Sequence, residues 1–309
     1  MIKNVIKSVL IIGDVMLDVY RTGTVSRVSP EAPIPVFDQE SIGYSLGGAA
    51  NVALNIRSLL GLSNVDFLFP EILEEDDRIC DFVYNHLLSK RIGIFNTEIK
   101  HKLIKKNRFI DKRNKQQVGL RWDVSNNSRG ILTEKDFDLI KDLKYDAIIF
   151  SDYDKGAFDN REFTSLCVNK TKVNNIPSFL DSKSKDLEKF DGIDIFKPNN
   201  KEFEVYEKDD NHYFKFVVRT ESENGMTLYD SRLHEIRHIE SCVKNVVSTV
   251  GAGDTAMAGL VWGILVGETI EKSMEYANFL SGKSCLHPGT YVITQDDLNS
   301  AHMALDDDP

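Results

Sequence analysis

Cysteine is scarce in this 309-residue chain. The four residues, Cys80, Cys167, Cys242 and Cys285, lie far apart and form no C-x-x-C pair. That excludes a disulfide scaffold and a zinc knuckle, and leaves buried thiols in a reducing cytoplasm as the expectation. Basic charge is in deficit as well. With 38 Lys and Arg against 48 Asp and Glu, the formal net charge is −10, which opposes non-specific attraction to nucleic acid or to an anionic membrane. An anionic ligand therefore needs a local site. Long hydrophobic runs are missing too. The opening MIKNVIKSVLIIGDV places lysines before an apolar run, but the run soon reaches Asp14 and no small-residue cleavage pattern follows. It is too short to cross a bilayer and reads as a first strand. Two nucleotide fingerprints are also absent. No Lys follows the glycines of GAGDT, as a P-loop requires, and the first strand ends in GDVMLD where a dinucleotide fold needs G-x-G-x-x-G.

What is present describes an ordinary folded protein. Hydrophobic residues at 41% and charged residues at 28% exclude a mostly disordered or fibrous chain, and the length allows one large α/β domain or two smaller ones. SVLIIGDVMLD is a buried parallel strand whose end, holding Asp14 and Asp18, faces a ligand crevice. The stretch from Val19 to Gly48 has three prolines and broken alternation, which predict a small exposed sheet or lid. GGAANVALNIRSLLG is a glycine turn opening a helix from about Ala49 to Leu60, stopped by Gly61. A surface helix is expected from Glu71 to Lys90. The basic run TEIKHKLIKKNRFIDKRNKQQVGLRWD supplies further lid strands. YDAIIFSDYDKG, IPSFLDSK and DIFKPNNKEFE add three buried strands, KFVVRTESENGMTLYD a strand, turn and strand, and Asp254 to Gly267 and Ile270 to Cys285 two helices. Strands alternating with helices predict a doubly wound, mostly parallel α/β sheet with its site at the carboxyl edge. No repeat or linker divides residues 1–309, so a single domain is expected, its lid drawn from about 19–45 and 97–123.

The sharpest chemical signal is STVGAGDTAMAGL. Gly251 and Gly253 permit a tight turn with inward-pointing amides, which together with the positive end of the following helix make an anion site. Asp254 at its edge is repelled by that anion unless it accepts a proton from an attacking hydroxyl. The same spacing also describes a plain strand-to-helix turn, with Asp254 as a partner of the helix dipole.

GGAANVALN and GAGDTAMAG resemble the two signatures of the ribokinase or PfkB-type carbohydrate kinases. In order along the chain, GDVMLDVY, SRVSPEAPIPV, LGGAANVALN, FSDYDKG, KPNNKEF, ENGMTL and GAGDT are similar to the D-glycero-β-D-manno-heptose 7-phosphate kinases, from about Leu10 to Thr290. The resemblance implies Asp254 as catalytic base and the amides of Gly251, Ala252 and Gly253 as the anion hole. It implies Asp18, Gly47, Gly48 and Asn51 at the sugar, and Asn199 and Glu202 organising magnesium through water and phosphate. It implies Thr220, Glu223, Gly225, Asn278 and Gly289 along ATP. Lys112, Arg113 or Arg121 would meet the 7-phosphate, or would be solvated strand residues. The product would enter ADP-heptose synthesis for a surface glycan. The lid would close over the sugar and pair with a second copy as a homodimer. None of the seven histidines forms the H-x-G-H motif of the nucleotidyltransferase that follows the kinase in bifunctional relatives, so a stand-alone kinase is expected.

The chain also departs from the family pattern. Ser248-Thr249-Val250 stands where Asp-Val-Thr is usual, which puts potassium activation in doubt, and FLDSKSKD keeps Asp181 and Lys183 but loses a proline. A kinase of another sugar or of a nucleoside, and a catalytically silent sugar-phosphate sensor, are the alternative readings.

Overall fold

A computed structural model describes residues 6–74, 76–113, 117–125, 129–209 and 213–306. Its strands are β1 (Ser8–Gly13), β2 (Val15–Val28), β3 (Pro35–Gly48), β4 (Asn64–Leu68), β5 (Glu71–Ile72), β6 (Ile92–Ile94), β7 (Lys100–His101), β8 (Ile104–Asp111), β9 (Gln117–Val124), β10 (Ala147–Asp152), β11 (Ser178–Ser182), β12 (Ile195–Phe196), β13 (Phe216–Thr220), β14 (Met226–Asp230) and β15 (Glu235–Ile239). Its α-helices are α1 (Ala49–Leu60), α2 (Asp77–Ser89), α3 (Glu134–Asp138), α4 (Arg161–Asn174), α5 (Asn200–Tyr206), α6 (Ala252–Val266), α7 (Ile270–Cys285) and α8 (Gln295–Asp306).

The nine-stranded main sheet runs β15-β14-β13-β12-β11-β10-β1-β4-β6. It is parallel from β13 to β6 and antiparallel only at β13-β14-β15. Strand β1 lies between β10 and β4, and its residues Val9 to Ile12 are fully buried. Alternate side chains serve two cores. Val9 and Ile11 join the cluster of α1, α6 and α7, whereas Leu10 and Ile12 join that of α4, Phe158 and Phe190. Each such side chain contributes about 1.5–3 kcal/mol on burial, which is why a parallel strand covered on both faces reads as an unbroken apolar run. This is the doubly wound sheet read from the sequence.

The second sheet has the order β3-β2-β8-β9. Strands β2 and β3 form a long hairpin, closed where the Ser29 amide bonds the Ile34 carbonyl, and the prolines fall in that turn and at the first residue of β3. Strand β8 joins β2 in parallel, and β9 pairs with β8. The outer part of this sheet is exposed, with Leu120 and Trp122 of β9 more than half accessible.

Three local expectations are corrected. The helix expected from Glu71 begins only at Asp77, because Glu71 and Ile72 pair with β7 and Asp76 caps the helix by accepting the Arg78 amide. The strand expected in DIFKPNNKEFE shrinks to Ile195–Phe196; Pro198 ends it and Asn199 caps α5. Asp18, expected at the end of the first strand, lies four residues into β2, because Asp14 already closes β1 by donating its amide to the Ser151 carbonyl.

Candidate active site

The parallel strands end on one edge of the main sheet, and the small sheet rises beside that edge. Between them lies a cavity of about 240 Å³, walled by Asp18, Gly47 and Gly48 from the small sheet, by Asp181, Lys183, Lys197, Asn199, Glu202 and Thr220 from the strand ends, and by Gly251, Gly253 and Asp254 from the start of α6. Tyr153, Lys106, Arg108, Thr249, Val250 and Thr290 complete the lining.

Asp254 is 5% exposed. One carboxylate oxygen accepts a bond from Asn51 Nδ2 at 2.8 Å, and the other accepts the Tyr153 hydroxyl. Burial pushes its carboxyl above the usual carboxylate range; the Tyr153 and Asn51 bonds oppose that, Asp181 adds to it, and Lys183 counters it. Asn51 reaches this position because α1 packs against α6. The turn that opens α6 needs glycine where it meets α1: Gly251 has φ +81°, and a Cβ there would come within 2.7 Å of Asn51 Nδ2. The first turn of α6 thus presents its amide end to the cavity. Ala252 does not line the cavity; its amide donates to the Thr249 carbonyl at 3.3 Å within the turn.

On the opposite wall Asp18 is 3% exposed and meets Arg108, whose Nε and Nη2 both lie 3.1 Å from Asp18 Oδ1. Gly47 makes room for that carboxylate, since a Cβ would stand 2.7 Å from Asp18 Oδ2. Lys106 stands beside Asp18 in register; burial pulls its ammonium below the ordinary lysine range, while Asp18 pulls the other way.

At the strand ends, Lys197 and Asp181 are paired at 2.8 Å. Burial would lower the Lys197 ammonium, but Asp181, with Glu202 and Asp254, holds it above its ordinary value. Asn199 and Glu202 form a capping box: Asn199 accepts the Glu202 amide at 3.1 Å and Glu202 accepts the Asn199 amide at 2.8 Å. The N-x-x-E spacing therefore starts a helix and turns Glu202 toward the cavity together. Burial and then Asp181 push the Glu202 carboxyl upward. Among the described residues no group of three or more His, Cys, Asp or Glu could hold a metal ion. A divalent cation here would need ligands beyond these side chains, such as nucleotide phosphates and water.

Other residues singled out in the sequence lie elsewhere. Lys112, Arg113 and Arg121 do not line the cavity; they pair with Glu40 at 2.6 Å, Asp111 at 2.5 Å and Asp123 at 2.8 Å toward the outer part of the small sheet. Glu223, Gly225, Asn278 and Gly289 are also outside it. Glu223 sits in the turn Ser222–Asn224, the Gly225 carbonyl accepts the Glu221 amide, Asn278 donates to the Glu240 carbonyl at 2.8 Å, and Gly289 precedes Thr290, whose amide meets Tyr20. Lys106, Arg108 and Tyr153 were missed. Alternation puts Lys106 and Arg108 on one face of a strand, but Lys112 shares that parity, and only the pairing of β8 with β2 sets Lys106 beside Asp18. For Tyr153 the signal was only a polar residue beyond a buried strand end.

The chain is 31% identical over 320 residues to the "Bifunctional protein HldE" of Aliivibrio fischeri and 33% identical over 332 residues to that of Vibrio parahaemolyticus. It is covered to 95% and 97% in these matches but spans only 63% and 64% of those proteins. In fold it is similar to Escherichia coli phosphofructokinase-2 in complex with substrates and products (TM-score 0.76, 17% identity, 97% of this chain and 100% of that one). It is also similar to Arabidopsis thaliana ribokinase complexed with ribose and ATP (TM-score 0.70, 15% identity, 96% and 99%). The model of the pfkB family carbohydrate kinases matches residues 6–297, so this chain belongs to that family and is a sugar kinase.

Proposed function

We propose that the chain transfers the γ-phosphoryl group of ATP to the anomeric hydroxyl of D-glycero-β-D-manno-heptose 7-phosphate. Asp254 would take the hydroxyl proton as the sugar oxygen forms its bond to phosphorus and the bond from phosphorus to the ADP oxygen breaks. The amides of Gly251 and Gly253 would face the charge on the transferred group, and Glu202 with Asn199 would hold magnesium-bound water; the magnesium supplies charge neutralisation of the phosphates. Asp18 would accept sugar hydroxyl bonds. The observation that carries this reading is the buried Asp254, held by Asn51 at the start of α6 in a cavity shared with the Asp18–Arg108 pair.

Lys106 and Arg108 favour a phosphorylated sugar, because the cavity wall that holds a sugar ligand also carries two cations suited to phosphate oxygens. The HldE relatives favour the heptose. The setting would be the cytoplasm, and a homodimer would form through the exposed small sheet. No described helix is long and apolar enough to cross a membrane.

Coupled ADP release with magnesium-ATP and a panel of sugars tests the reading. Turnover should be confined to the heptose phosphate and fall by about 10³-fold or more in Asp254→Asn, with nucleotide still bound. Turnover on another sugar or a nucleoside would keep the mechanism and discard the substrate, and sugar-phosphate binding without turnover would leave a sensor. Replacing sodium by potassium should leave the rate unchanged, because the Ser248 hydroxyl is neutral and already accepts the Val250 amide at 3.2 Å.

A further inference from the structure

Asp254 is held on both oxygens, and Asn51 accounts for only one of them. The other accepts the hydroxyl of Tyr153, the first residue after β10. The ring of Tyr153 also lies against cations: Lys183 Nζ is 3.8 Å from its centroid and Lys106 Nζ 5.6 Å, within the range of cation–π attraction. The loop that carries it is fixed from below. The buried Asp14 accepts the amides of Tyr153 at 2.8 Å, Lys155 at 3.1 Å and Ala157 at 3.1 Å.

We propose that Tyr153 is a positioning residue for phosphoryl transfer, its phenol fixing the Asp254 carboxylate through the oxygen Asn51 leaves free while its ring seats the Lys183 ammonium beside it. The proposal rests on Asp254 acting as the base. A carboxylate held by one donor can turn about its last torsion. One held on each oxygen keeps its plane and still has lone pairs for the attacking hydroxyl. Burial and the Asp254 charge push the phenol well above its ordinary range, so it stays a donor. Of the charged groups facing Asp254, Asp181 raises its carboxyl and Lys183 lowers it, while Lys197 and Lys106 both feel its charge. The Tyr153 bond is the leading influence against burial, so its loss should raise the carboxyl.

The test is Tyr153→Phe, which removes the hydroxyl and keeps the ring, assayed with heptose 7-phosphate across pH. The expected result is a fall in kcat of about 10- to 100-fold with KM within about twofold. The acidic limb of kcat/KM should move to higher pH. Tyr153→Leu, which also removes the seat for Lys183, should lose more. On an Asp254→Asn background Tyr153→Phe should cost nothing further. Unchanged nucleotide affinity and melting temperature show that the fold is intact. A wild-type kcat, or a lowered kcat with an unmoved acidic limb, overturns the positioning role even where Asp254→Asn is inactive. Full turnover by Asp254→Asn overturns the base assignment and this inference with it.

Discussion

The inner and outer parts of the small sheet carry the same residue types in different surroundings. Near the cavity, Arg108 meets Asp18, and both side chains are at most 13% exposed. Farther out, Arg121 meets Asp123 and Lys112 meets Glu40, with side chains 35–49% exposed. Water screens the outer pairs and competes for their bonds, so such pairs contribute about 0–1 kcal/mol. The inner pair has lost most of its water, and either partner left alone would be an uncompensated charge. The same basic run thus builds a solvated face at one end and a cavity wall at the other, and depth in the cavity makes the difference.

The largest effect is expected at the inner pair. Arg108→Ala should cost about 3 kcal/mol in stability by leaving Asp18 buried without its ion-pair partner, read by urea denaturation, and should raise KM for the sugar substrate more than it lowers kcat. A loss below about 0.5 kcal/mol would break the contrast.

A second test uses a buried carboxylate beneath the same cavity. Burial and then the neighbouring Asp152 push Asp14 from its ordinary 3.8 up to about 7, against three amide bonds that pull it down. A carboxyl with a higher pKa folded than unfolded binds its proton more tightly in the folded state. Its contribution is therefore fully present below about pH 4 and is lost as pH rises toward 7. Denaturation midpoints of the wild type should fall relative to Asp14→Asn over that range, and parallel curves would show that Asp14 ionises as it does unfolded.

The smallest effect is expected outside. Arg121→Ala should change stability by no more than about 0.5 kcal/mol and leave KM unaltered. A large rise in KM would return the outer arginine to the substrate and erase the distinction.

Legibility in the sequence follows the same division. The GAGD turn was readable because glycine conformation, helix start and an adjacent acid are set within a few residues; so was β1, whose apolar run reports burial on both faces. The basic run was readable only as a run. Choosing Lys106 and Arg108 over Lys112, Arg113 and Arg121 required the register of β8 against β2, which pairs Lys106 with Asp18. The small size of Gly47 was visible; the Asp18 carboxylate filling the space it leaves was not. Asn199 and Glu202 were readable as a spacing, while their orientation toward Asp181 came from the strand order.

By itself the sequence determined the doubly wound sheet, the glycine turn before α6, and the acid and amide groups at that turn, because these depend on local conformation and on apolar periodicity. Only the tertiary structure decided which cations line the cavity, that Asp18 belongs to β2, and that Tyr153 and Asn51 close on Asp254 from positions 101 and 203 residues away in the chain. Those contacts are set by how strands register and helices pack, and no stretch of neighbouring residues encodes them.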